Sequence, residues 1–170
     1  GPYDSYVPKR VIDPQDPGAT RGARAMTEYL NDRIGQGHYF ITSSFQEAQG
    51  IDAGAAGAGW ARTGRSWRAW SVAGEIPAGV PATPVSRFYA AGPNSHFFTL
   101  SEAEKNGLVA INPTNDIQKG WALEGVGFHS VAPIPATAAT PVANRDQFGN
   151  TCPASYYPVF RAYNNRFAFN

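Results

Sequence analysis

The clearest pattern along the chain is a run of alternating, aromatic-rich positions that occurs twice. In Val85-Ser-Arg87-Phe-Tyr89 the side chains alternate at period two, which predicts a strand. Gly92-Pro93-Asn94 is turn chemistry, and His96-Phe-Phe-Thr99 predicts the returning strand of a hairpin. Ser101 and Glu104 have the spacing of a capping box, in which each side chain satisfies a free N–H at a helix start. Gly107 predicts a left-handed cap that ends this helix after one to two turns. The stretch Trp121-Ala-Leu-Glu124-Gly125-Val-Gly127-Phe128 predicts a further strand, with glycines where backbones approach closely.

An earlier stretch carries the same series. Tyr29 and Tyr89 precede His38 and His96, each of which begins an aromatic run ending in threonine, at Thr42 and Thr99. Ser44 and Glu47 match Ser101 and Glu104, and each pair is followed by a glycine, Gly50 and Gly107. Trp60 matches Trp121, and Trp67 matches Phe128. A third copy begins at Val159-x-Arg161-x-Tyr163 and stops at Asn170. The expected fold is therefore mainly β with short helices (α+β), a pseudo-repeat of hairpin–short helix–strand units around a shared aromatic core. One such unit is too small to bury its aromatic face alone, so neighbours are expected to stack. The organisation read from this is an extended Pro-rich arm (1–24), repeat 1 (25–84), repeat 2 (85–151) and an incomplete repeat 3 (152–170), with 25–170 as one domain.

Composition sharpens the picture. Gly, Pro and Ala make about a third of the chain, while charged residues are 16% and aromatics 13%. That aromatic content is too high for a linker. With 14 basic and 13 acidic residues, charge gives no reason to expect nucleic acid or a membrane surface as partner. No apolar run is long enough to span a bilayer, and any signal peptide is expected to be gone already.

The series V-x-R-F-Y, H-F-F-T, S-x-A-E, G-W and E-G-x-x-F resembles a short aromatic repeat of unknown function found in secreted bacterial and fungal proteins. There it often forms a C-terminal module behind hydrolases or other exported domains. The resemblance implies export and an accessory role, and it brings no catalytic mechanism. It also implies that Cys152 stands where the last copy begins, as an orphaned disulfide partner in a chain cut short.

Hydrolase motifs are absent, and no nucleophile stands beside a histidine except Ser95-His96, which is mere adjacency. Glu28, Glu47, Glu104 and Glu124 invite a paired-carboxylate reading, but Glu47 and Glu104 are explained as caps. His38, His96 and His129 have no metal-ligand spacing, and a hairpin histidine bonded to its own turn is the plainer reading. Arg87 and Arg161 are expected to bridge neighbouring units. The binding candidate is the stretch Trp60–Trp70, where Arg62, Arg65, Trp67, Arg68 and Trp70 interleave charge with aromatic faces. As one strand it would put Trp60, Arg62, Arg68 and Trp70 on one face, a surface suited to anionic glycans or single strands. Trp60 and Trp67 recur by repeat and are expected in the core, which makes Trp70 the informative residue.

The expected function is a non-catalytic secreted module, with no catalytic residue, metal or cofactor. It would bind an extracellular glycan or polymer, or mediate surface assembly with neighbouring copies or with the rest of a larger secreted protein. The alternatives are a hydrolase or metal-dependent enzyme using histidine and glutamate, and a structural subunit of an extracellular polymer completed by a neighbouring chain.

Overall fold

A computed structural model describes residues 22–33, 37–153, Tyr156 and Val159. The Pro-rich arm, except Gly22–Arg24, and nearly all of the expected third repeat, including Arg161 and Tyr163, lie outside the described residues. The chain forms two compact units that divide between Ala132 and Pro133, inside the expected repeat 2. The fold is mainly β with two short helices, as the alternation predicts.

In the first unit, β1 (Arg24–Ala25) and β2 (Thr27–Asn31) lead into β3 (His38–Thr42) and α1 (Phe45–Asp52). There follow β4 (Trp60–Arg62), β5 (Arg68–Ala69), β6 (Ala82–Ala90), β7 (Ser95–Thr99), α2 (Glu102–Ile111) and β8 (Ala122–Val131). Two antiparallel three-stranded sheets result, ordered β3-β2-β4 and β7-β6-β8. In each, a hairpin is followed by a helix, and the next strand pairs with the free side of the hairpin's first strand. β1 pairs with β5, and a bridge between Trp70 and His129 ties this ribbon to β8.

Both helices begin with the same three-bond knot. The Ser44 and Ser101 hydroxyls accept from the N–H of Glu47 and Glu104, and their own N–H groups donate to Thr42 and Thr99 Oγ1. Those threonine hydroxyls in turn donate to the Glu47 and Glu104 carboxylates. The capping box is thus closed through the last residue of the preceding strand rather than directly. Neither glycine ends its helix: α1 runs through Gly50 to Asp52 and α2 through Gly107 to Ile111. Termination of α2 falls to Asn112, whose Nδ2 donates to the carbonyls of Asp116 and Trp121 and so turns the chain back.

Apolar burial falls in two clusters. Met26, Ala69, Val85 and Phe128 form one, with Ile41 of β3, Trp67 and Phe98 against it, so it draws on elements from both sheets. Tyr29, Phe40 and Ala48 form the other, beneath Trp60. Tyr29 Oη lies 2.9 Å from both the Ala48 carbonyl and Asp52 Oδ1, which gives the buried phenol its partners.

The second unit holds the hairpin β9 (Ile134–Pro135) and β10 (Asn150–Thr151). Its connecting loop is held by Arg145, which donates to the carbonyls of Thr137 and Thr140, and by Asp146, which accepts from the N–H groups of Phe148 and Asn150. Cys152 is half-buried and free, and burial pushes its thiol up, away from the thiolate a nucleophile needs.

Candidate functional site

The Trp60–Trp70 stretch is two short strands rather than one. β4 ends at Arg62, Gly64 adopts φ +77°, and the ladder resumes only at Arg68. The break resets the alternation, so the expected common face does not form. Arg62 pairs with Asp52 at 2.6 Å and lies over the Tyr29 ring, and this guanidinium holds the Asp52 carboxyl below the usual range. Arg65 donates its N–H to Thr63, and Arg68 donates to the Ala23 carbonyl. Trp67 packs on the Met26–Phe128 cluster. Trp70 is only 3% exposed, so its ring is a core element and cannot stack on a ligand.

The histidines are dispersed as well. His38 Nδ1 lies 2.7 Å from the Asn94 carbonyl, in the β6–β7 turn and not in its own hairpin. His129 is held through its backbone by Trp70. Among the described residues no group of three or more His, Cys, Asp or Glu side chains could hold a metal ion.

A different set of side chains converges. Where β3 runs beside β7, a cleft of about 350 Å³ opens, walled by α1 and by Trp60 of β4. Its polar centre is Arg87, from the middle of β6. Nη1 contacts Glu47 Oε1 and Oε2 at 3.2 and 3.3 Å, and Nε lies 2.7 Å from Glu124 Oε2. The guanidinium also stands over the Phe40 ring, 5.4 Å from its centroid. His96 lies between the rings of Phe40 and Tyr89, with centroids 4.7 and 4.9 Å away, and its Nε2 is 3.4 Å from the same Glu124 oxygen.

Nε2 is thus turned toward Glu124, while the buried Nδ1 has no hydrogen-bond partner among the described residues. Bonding from His96, then the charge of Arg87, holds the Glu124 carboxyl below the usual glutamate range against the opposing effect of burial.

Glu124 reaches this centre because β8 is bulged. Arg87 faces Gly125 while Phe88 faces Leu123, so Glu124 is an extra residue in the ladder and its side chain is re-aimed. Gly125, at φ +124°, supplies a backbone conformation that L side chains rarely adopt. A second irregularity leaves Gly127 without a ladder partner, and a Cβ there would come within 3.3 Å of Arg87 Cβ.

Arg87 joins the α1 end of one sheet to β8 of the other, as the bridging expectation had it. In the sequence the cleft itself is hidden, because Glu47 already has a role as a helix cap. The signal that could have found it is Glu124-Gly125-Val-Gly127, a bulge signature beside an arginine-bearing strand.

A second cleft, of about 450 Å³, is lined by Arg24, Ser43, Phe45, Ser71 and Val72. Its cation is already paired with Glu75, and no set of charged groups meets there. No helix among the described residues is long and apolar enough to cross a membrane. Neither a curated protein nor a solved structure matches the chain. The family of the domain of unknown function DUF5648 does match, over residues 28–144, which takes in both sheets and the Arg87 cleft, and the chain belongs to that family.

Proposed function

We propose that the chain is a non-catalytic, secreted binding module whose Arg87 cleft takes one unit of an extracellular glycan or polymer. The observation that carries this reading is the meeting of the half-buried Trp60 face with the hydrogen-bonding groups of Glu47, Arg87 and Glu124 in one concave site. Its volume lies at the lower end of the ~300–1,000 Å³ spanned by small-ligand sites. Sugar recognition calls for this combination: an aromatic face against the C–H surface of a ring, and charged acceptors and donors for its hydroxyls.

Catalysis is disfavoured by the state of the acids. A glycosidase acid is poised by a raised pKa, whereas Glu124 is shifted down and Glu47 is tied to both Arg87 and the helix cap. Retention of the purified protein on a panel of polysaccharides tests the reading, with Trp60→Ala and Glu124→Gln as variants. Specific retention, weakened in both variants while the melting temperature reports a folded protein, is expected. Failure to be retained on any polymer removes the reading, and release of soluble sugar from a retained polymer favours a hydrolase.

A further inference from the structure

The charges lining the Arg87 cleft do not suit the anionic glycans that the arginine-rich stretch suggested. We infer that the cleft selects a sugar unit carrying an ammonium group and rejects uronates, an inference that rests on the glycan-binding reading above. Two carboxylates, Glu47 and Glu124, face the single guanidinium of Arg87 in the lining.

Arg87 has no undisturbed two-point fork left for an incoming carboxylate. Bidentate capture uses either Nε or Nη1 together with Nη2. Here Nε is engaged by Glu124 and Nη1 by Glu47, while the face of the group lies over Phe40. Both forks are therefore broken, and a uronate would meet two carboxylates without gaining a paired arginine.

A cation meets the opposite situation. The contacts from Arg87 and His96 both fall on Oε2 of Glu124, which leaves Oε1 with its lone pairs for a further donor. Because Glu124 is held ionised by those neighbours, it stays an acceptor well into the acidic range where sugar amines are charged. Trp60, half-buried in the wall, offers a π face to the ring and its cation.

Titration with three oligosaccharides of equal length tests this: a glucosamine oligomer, its N-acetylated form and a galacturonate oligomer, near pH 6 at low and at high salt. The amine form is expected to bind about tenfold tighter than the N-acetylated form, an advantage that salt erodes, with the uronate weakest. In Glu124→Gln the amine oligomer is expected to lose more affinity than the N-acetylated oligomer, so that the amine advantage shrinks toward unity. Equal binding of amine and N-acetylated forms, or uronate binding as tight as either, overturns the charge selection but leaves the glycan-binding reading standing. Absence of binding by all three, from a protein that melts cooperatively, overturns both.

Discussion

Arg87 sets the balance of the molecule at the level of single residues. Its side chain is 21% exposed and pairs with two carboxylates that are each about one-third exposed. Removing the cation leaves two partly desolvated acids without their shared guanidinium, so Arg87→Ala is expected to lower stability by about 1–3 kcal/mol, less than a fully buried pair because solvent screens part of the charge. Chemical denaturation measures this, and a change in midpoint too small to resolve would contradict the assignment.

Glu124 gives the matching pH dependence. Its folded-state pKa is lowered, so its contribution is fully present above the ordinary glutamate range, about 4.3, and is lost as pH falls through the lower folded value. Glu124→Gln should flatten stability against pH in that acidic window and leave the slope near neutrality alone, as denaturation series at several pH values would report. Trp70 belongs to the same scale. Because it is buried against the β8 bridge, Trp70→Ala should cost about 3–5 kcal/mol, which a thermal melt would register at once.

Among the elements, β8 is the one whose irregularity has a purpose. A plain ladder would place consecutive residues on alternate faces, whereas the extra residue brings Glu124 to Arg87. Gly125→Ala is expected to strain this bulge by about 1–3 kcal/mol and to weaken ligand retention along with stability.

The hairpins, the helix starts and the third strands were legible in the sequence, because alternation, turn residues and the Ser-x-x-Glu spacing are local signals. Helix ends were not: Gly107 looked like a cap, but the competing bonds that stop α2 come from Asn112, five residues on. The pairing of the two histidines also misled. His38 lies four residues before its threonine and His96 three, so the two stand on opposite faces relative to their helix caps, and only His96 enters the cleft. A shift of one residue is invisible in a motif and decisive in a strand.

For the whole molecule, the Met26–Phe128 cluster decides what can stand alone. Met26 and Ala69 come from one sequence half, Val85 and Phe128 from the other. A fragment comprising residues 25–84 would expose half of this cluster and lose the Arg87 partner of Glu47. It is expected to show no cooperative thermal transition, and a sharp circular-dichroism melt from that fragment would refute the expectation. The candidate site was harder to read than the fold for the same reason: Glu47, Arg87, His96 and Glu124 are contributed by four elements, and nothing local to any one of them announces the others.

The bulge in β8 makes spacing, as well as identity, a determinant of the site. Between Leu123 and Phe128 the chain carries two residues more than an even ladder against Phe88–Val85 requires. Taking one out would keep every side chain that defines the cleft in the sequence, yet rotate Glu124 out of register with Arg87. Family members that retain Glu and Arg but differ by one residue in this interval would then share the fold and lack the acid that defines the pocket, so loop and strand lengths there carry ligand information that residue matching alone would miss.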